Sequence, residues 1–324
     1  ILWIMPCQPI GKLTRKGTLG SYYSIIDYCQ MNPEFGTRED FEHFLQTAHD
    51  LGFKVILDWV ANHTARDAKW LRTKPTDWYE REDDGTAKVP WDWTDTAKLN
   101  YANHDVWRGQ IDAMRFWIEK HNVDGFRCDM AMLVPIEFWQ EAAKILHAIK
   151  PDVFMLAEAE ELNLFDRAFD MGYAWEIHHM MCDIAKGERR VWDLRNTLYA
   201  DRQRYPESAM KMMFTSNHDE NSWSGSEWSR FGDSLEVMTA LTFLWEAAMP
   251  LIYTGQEVGY DHSFAFFDKD AMPKFEPNGA TEKYRQLCEM KHSFSALCSA
   301  DLGGSFIEIN NNAPDCLLTF VREN

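Results

Sequence analysis

Cysteines occur without any CxxC pair, glycines without a GxGxxG or P-loop spacing, and no apolar run approaches the ~18 residues that cross a membrane. The seven cysteines (Cys7, Cys29, Cys128, Cys182, Cys288, Cys298 and Cys316) are odd in number and unpatterned. They read as reduced core thiols rather than as a disulfide framework or a zinc site. Without a Gly-rich loop there is nothing to cradle a dinucleotide or a nucleotide phosphate. Positive charge is scarce as well: 33 Lys and Arg face 51 Asp and Glu, for a formal net charge of −18. That balance argues against nucleic acid and against an anionic membrane surface, and a neutral substrate fits it best. The sequence does not open on an initiator methionine, and no signal-peptide pattern is read at its start. The opening ILWIMP reads as a strand already under way, so an upstream segment is expected and the compartment stays open.

What is present suffices for a large core: 324 residues, 45% apolar and 14% aromatic, enough for two domains or one large α/β barrel. Strands are predicted over 1–6 (ILWIMP), 53–60 (FKVILDWV), 123–130 (VDGFRCDM), 153–159 (VFMLAEA), 172–178 (GYAWEIH), 211–217 (KMMFTSN) and 250–255 (PLIYTG). Apolar residues at helical spacing predict helices over 41–52, 106–121, 135–150 and 234–247, with Gly52 as a C-cap and Pro135 at a first helical position. Near-continuous apolar strands alternating with helices mean a parallel sheet covered on both faces.

The polar residues choose between a doubly wound sheet and a barrel. Asp58, Asp129, Glu158 and Asp219 all fall at or just past the C-terminal ends of different strands. In a barrel those ends meet at one mouth, whereas a doubly wound sheet gathers ligands at a single switch point. The expectation is an α/β protein with a (β/α)8 TIM barrel over 1–62 and 104–298, its first strand and helix preceding Ile1. Residues 63–103, after the third barrel strand, are too long for a βα loop and form an inserted subdomain. Residues 299–324, two strands around an Asn-rich turn, begin a C-terminal β-domain.

Within GFRCDMAML (125–133), Arg127 and Asp129 lie two apart and point the same way from a strand. Buried charge at the end of an apolar run needs a partner or a task. Asp129 and Glu158 come from successive strands, which lie ~5 Å apart, compatible with the ~5–5.5 Å carboxyl separation of retaining glycosidases. Arg127 would keep Asp129 ionised. The apolar surroundings of Glu158 in FMLAEAE would raise its pKa and suit a general acid. A structural ion pair explains one such strand end but not four.

At this point DWVANH (58–63), GFRCDMA (125–131), FMLAEAE (154–160) and FTSNHDE (214–220) resemble, in order and interval, the four motifs of the α-amylase family of retaining glycoside hydrolases. TLGSYYSIIDYCQMNPEFGT (18–37), AKLN (97–100) and PLIYTGQEVG (250–259) add to the likeness, which covers nearly the whole chain. The resemblance implies Asp129 as nucleophile, Glu158 as acid/base, and Asp219 as the carboxylate holding the sugar's 2- and 3-hydroxyls. It implies His63 and His218 as hydrogen-bonding partners of the same sugar, Arg127 beside the nucleophile, and Tyr23 as the aromatic platform. Asp58 reads as structural, bonding backbone, and Asn62 as a tie for the long loop. Trp70, Trp78, Trp91 and Trp93 are either sugar platforms or a small aromatic core.

The sequence also departs from the family. Many α-amylases bind a structural calcium, for which Asn62 matches one ligand, but Lys98 and Leu133 stand at two other ligand positions. An ammonium and an isobutyl group give a hard cation no oxygen, so no metal or other cofactor is expected; Lys98 would stand there as a fixed internal cation. TAKLN (96–100) is more similar to the neopullulanase and cyclomaltodextrinase branch. Met132 replaces a Lys on the leaving-group side, and Ser24 replaces an Asp of exo-acting α-glucosidases, which favours endo-type or maltogenic cleavage. The implied activity is hydrolysis of α-1,4-glucosidic bonds in starch-type glucans or maltooligosaccharides. A 4-α-glucanotransferase and a non-catalytic carbohydrate-binding relative stay open as alternatives, as does the oligomeric state.

Overall fold

Five consecutive buried residues, Val55–Trp59, form the most enclosed strand of the computed structural model, which describes residues 1–299 and 302–324. The chain divides into two compact units, 1–170 with 267–269, and 171–266 with 270–324. In the first unit, β1 (Leu2–Ile4), β2 (Val55–Trp59), β5 (Gly125–Cys128) and β6 (Phe154–Ala157) pair in parallel in that order. Gly125 is required where β5 passes β6, because a Cβ there would lie 2.0 Å from the Phe154 carbonyl oxygen.

The helices of this unit are α1 (Arg38–Asp50), α2 (Lys69–Thr73), α3 (His104–His121) and α4 (Ile136–Ile149). Thr37 caps α1 through a capping box with Asp40, and Asn103 caps α3. Pro135 is the N-cap of α4, one residue earlier than its expected place inside the helix. Within residues 63–103 the short strands β3 (His63–Ala65) and β4 (Thr96–Lys98) pair antiparallel. Trp78, Tyr79, Ala97 and Leu99 form a small core there together with Val106 of α3, with Trp70 packed edge-on to Trp78 at 5.1 Å.

The second unit holds a parallel set β7 (Met171–Tyr173), β8 (Met210–Met213) and β9 (Ala248–Pro250). Around it lie α5 (Trp175–Ala185), α6 (Val191–Arg204), α7 (His218–Ser224), α8 (Glu227–Phe231), α9 (Leu235–Leu244) and α10 (Gly279–Ser293). The antiparallel pair β10 (Ser305–Glu308) and β11 (Phe320–Glu323) buries Phe306 against Trp245, with ring centroids 4.4 Å apart. Buried Arg195 of α6 pins this pair through Glu308 and the Pro314 and Leu317 carbonyls.

Two strand expectations change, and helices appear that were not anticipated. The strand expected over 172–178 is only Met171–Tyr173; Ile177, His178, Met181 and Cys182 line one buried face of a helix. The strand expected over 250–255 ends at Pro250, and the chain then turns through Gly255 at φ 99°. Helices α6 and α10 lacked a legible stripe, since α6 buries only Leu194, Arg195, Leu198 and Asp201 and α10 buries no residue fully. All seven cysteines are free; Cys7, Cys128 and Cys182 are buried as expected, but Cys316 is exposed. Among the described residues, no helix is long and apolar enough to cross a membrane.

Candidate active site

Parallel pairing sets Asp58 of β2 directly beside Arg127 of β5. Strand alternation turns both to one face and Trp59 to the other, where its indole N–H donates to Gln110 of α3 at 2.9 Å. Asp129 and Glu158 each lie one residue past their strands, β5 and β6, whose last residues Cys128 and Ala157 are register partners. Thus Asp58, Arg127, Asp129 and Glu158 come together from three adjacent strands.

Arg127 is fully buried and is the hub of this group. Its Nη1 donates to Asp58 Oδ1 at 2.9 Å and to Asp129 Oδ1 at 3.1 Å, while Nη2 lies 2.8 Å from Glu158 Oε2. The guanidinium also sits over the Trp3 ring at 4.9 Å. One cation shared by three carboxylates offsets desolvation that would otherwise cost several kcal/mol per ion. The arrangement leaves the anions in surplus, which suits a site that must accept a proton or a developing cation.

Glu158 does not have the apolar surroundings its sequence context suggested. It faces a guanidinium and accepts the Met130 N–H at 2.9 Å. Its alanine neighbours in FMLAEAE alternate away from it, so the adjacent strand decides what the carboxyl meets. Met130 takes a left-handed conformation, φ 43°, that aims this N–H; such backbone costs a non-glycine residue on the order of 1–3 kcal/mol. Asp58 likewise differs from expectation, bonding side chains and not backbone. It accepts from Trp3 Nε1 and Tyr23 OH, each at 3.1 Å, and from Arg127. Burial pushes its pKa up to about 6, with Arg127 acting in the opposite direction.

Tyr23 is buried and is held by its bond to Asp58. His63 is buried too, and Asn62 Nδ2 donates to its Nδ1 at 3.2 Å, which puts the ring proton on Nε2. Burial lowers the His63 pKa to about 4, so the ring is neutral near pH 7. Trp93 lies 5.2 Å from the His63 ring and 4.8 Å from Trp91, which is exposed. The four tryptophans therefore divide: Trp70 and Trp78 belong to a core, while Trp91 and Trp93 lead outward from His63. Ser24 is buried and donates to the Asp95 carbonyl at 3.0 Å.

In the second unit, His218 and Asp219 open α7, with His218 Nε2 3.3 Å from Asp219 Oδ2. The Asn217 side chain caps this helix by accepting the Glu220 N–H at 2.7 Å. The candidates thus form two groups, Tyr23, His63, Arg127, Asp129 and Glu158 in one unit and His218 with Asp219 in the other. Trp3 was not anticipated; its only signal is an indole N–H inside an apolar strand, which needs a buried acceptor. At the position matching a calcium ligand, Lys98 Nζ is 2.8 Å from Glu80 Oε1, and Lys88 reaches the other oxygen at 3.1 Å. Burial opposes them, but the two ammonium groups hold Glu80 below the ordinary carboxylate range.

Carboxylates gathered at the C-terminal ends of parallel strands, with helices between the strands, define an α/β protein whose candidate site lies where barrels carry theirs. The chain belongs to the α-amylase family: the family's catalytic-domain profile matches residues 3–301. The (β/α)8 TIM barrel expected from the sequence is the fold of that family. It is 31% identical over 254 residues to the α-amylase MalA of Haloarcula japonica, covering 73% of this chain and 36% of that protein. It is 28% identical over 334 residues to neopullulanase 2 of Thermoactinomyces vulgaris, covering 93% of this chain and 54% of that protein. Among solved structures, a noncanonic maltogenic α-amylase, AmyB of Thermotoga neapolitana, superposes with a TM-score of 0.91 at 30% identity. That match covers 99% of this chain and 74% of the other. The chain spans about a third to just over half of the two curated relatives' length.

Proposed function

We propose that this chain carries the catalytic machinery of a retaining glycoside hydrolase acting on α-1,4-linked glucans or maltooligosaccharides. The observation that carries the reading is the Arg127 fork, which holds Asp129 and Glu158 on adjacent strand ends. In the first step an Asp129 oxygen bonds the anomeric carbon as the bond to the leaving sugar breaks, and Glu158 gives its proton to the leaving oxygen. In the second, Glu158 takes a proton from water as that water displaces Asp129, restoring both carboxyls. Arg127 balances the charge that Asp129 loses and regains. By motif resemblance, Asp219 holds the sugar's 2- and 3-hydroxyls, with His63 and His218 donating to the same sugar and Tyr23 beneath it.

Transfer to a second sugar in place of water would use the same carboxylates, giving a 4-α-glucanotransferase. The names of the relatives and the pairing of Lys98 with Glu80 support the neopullulanase or cyclomaltodextrinase branch. The calcium position of the family fits this chain poorly, since Lys98 is already bound to Glu80 and Leu133 offers no donor. Incubation with starch, pullulan, cyclodextrin and maltotriose, followed by chromatography, tests the reading. Shorter α-glucans from wild type and none from Asp129→Asn, with folding retained, are expected. Products longer than maltotriose would assign transfer, and wild-type turnover in the Asp129→Asn variant would remove the nucleophile.

A further inference from the structure

Below α7 in the second unit lies a group of buried charges that the proposed chemistry does not use. His178 of α5 is fully buried, and its Nδ1 lies 2.9 Å from the Phe214 carbonyl oxygen. A carbonyl only accepts, so Nδ1 carries a proton. Its Nε2 lies 3.3 Å from Glu220 Oε2 and 3.4 Å from Arg230 Nη1. Arg230 of α8, itself buried, donates from Nη1 to the Thr215 carbonyl at 2.8 Å and from Nη2 to Ser216 Oγ at 3.0 Å. Its Nε reaches the Gly225 carbonyl at 3.1 Å, and Nη1 stands 3.7 Å from Glu220 Oε2. The segment Phe214–Glu220 is therefore gripped at both ends, by bonds to residues 214–216 and at residue 220. Between the grips lie Asn217, His218 and Asp219.

The remaining question is the state of Nε2. A neutral ring would accept from Arg230 Nη1 across a long 3.4 Å contact, but its lone pair would also face the Glu220 carboxylate at the shorter 3.3 Å, acceptor against acceptor. A protonated ring donates to Glu220, and the carboxylate then also faces the guanidinium of Arg230. Among the described residues, the titratable and charged groups facing the ring are Cys182 (Sγ 3.7 Å from Nε2) and His179 from α5, Glu220 from α7 and Arg230 from α8.

We propose that His178, Glu220 and Arg230 are positioning residues: a doubly protonated His178 and Arg230 share the Glu220 carboxylate and hold Asp219 and His218 in working geometry. The direction of the titration agrees. Burial opposes charge on His178, but the Cys182 and Glu220 contacts and the Phe214 bond outweigh it, raising its pKa to about 9. Glu220 is lowered, first by its bond to His178 and against burial. Asp219 sits one residue from the bridged carboxylate, and a misplacement of about 1 Å in a reacting group costs roughly 100-fold in rate.

The kinetic arm of the test rests on the glycosidase reading; the spectroscopic arm does not. In wild-type protein with 15N-labelled histidine, the His178 ring, assigned by comparison with His178→Gln, is expected to show both nitrogens protonated at pH 7. A singly protonated ring overturns the proposal. On maltooligosaccharides, Glu220→Gln keeps the size of the side chain and removes its charge. Its kcat is expected to fall roughly 10- to 100-fold with KM within about twofold. A kcat within twofold of wild type in a folded variant overturns the positioning role. Should that variant not fold, Arg230→Lys, which loses the fork to Ser216 and Gly225, is read by the same split. Wild type inactive on every α-glucan would sink the glycosidase reading, while the ring spectrum would still decide the state of His178.

Discussion

Replacing Arg127 by Met preserves much of the length of the side chain and strands three carboxylates. Asp58 Oδ1, Asp129 Oδ1 and Glu158 Oε2 all lie within 3.1 Å of this guanidinium, which is fully buried. Removing one partner of a buried charge group costs about 3–5 kcal/mol, because the other charge keeps its desolvation penalty. At about 2.1 cal/mol/K of unfolding entropy per residue, a 324-residue chain loses about 1.5 °C of Tm per kcal/mol, so a fall of roughly 4–8 °C is expected near neutral pH. The pH dependence is the sharper signature. Asp58 is already raised to about 6 with Arg127 in place, and loses that counter-charge in the variant. A carboxyl whose pKa is higher folded than unfolded contributes stability that is full below its unfolded value and lost as pH rises through its folded value. The deficit of the variant should thus be smallest near about pH 4 and reach its full size above about pH 7. Thermal unfolding followed by circular dichroism at several pH values measures it. A deficit below about 1 kcal/mol, or one that does not grow with pH, would refute the hub reading. Asp58→Asn in the Arg127→Met background removes one stranded anion and should recover part of the loss.

His63 is held neutral by burial, its pKa lowered to about 4, so the unfolded chain takes its proton first and stability falls as pH drops from about 6.5 toward 4. His63→Gln should make the acid-side fall in stability shallower by about 2 kcal/mol, read from urea titrations at pH 7 and 4.5; an unchanged slope would contradict a buried neutral ring. Trp78→Ala should cost about 3–5 kcal/mol as a core truncation. Trp91→Ala, at 62% exposure, should stay within about 0.5 kcal/mol. Equal losses in the two variants would disprove the division of the tryptophans. Calcium titration calorimetry should give no saturable binding at the Asn62 position, and chelator should leave Tm unchanged; a calcium ion coordinated by Asn62 in a crystal would overturn this.

The sequence by itself determined the periodic content of the fold. Apolar runs too continuous for a one-sided sheet meant parallel strands, and carboxylates at the ends of those runs pointed to the candidate site. The four motifs around Asp58, Asp129, Glu158 and Asp219 were legible because each is a local string whose residue types and order carry the likeness. Weakly striped helices such as α6 were not legible, since their buried positions include Arg195 and Asp201, whose partners are distant in sequence. The strand expected at 172–178 became mostly helix because its Ile177, His178, Met181, Cys182 spacing is helical, which a short window hid behind alternation.

Only the tertiary structure decided what each charge meets. Period two put Arg127 and Asp129 on one face, but strand order and register brought Asp58 and Glu158 to the same guanidinium. Asp58 was expected to bond backbone and instead joins Trp3, Tyr23 and Arg127, residues separated from it by 55, 35 and 69 positions. Glu158 was expected in apolar surroundings and instead faces a cation and an N–H, because its environment comes from the adjacent strand. Local pattern is a property of neighbours along the chain, whereas desolvation and charge pairing depend on neighbours in space. Those are set by register, twist and the close passage that Gly125 alone allows.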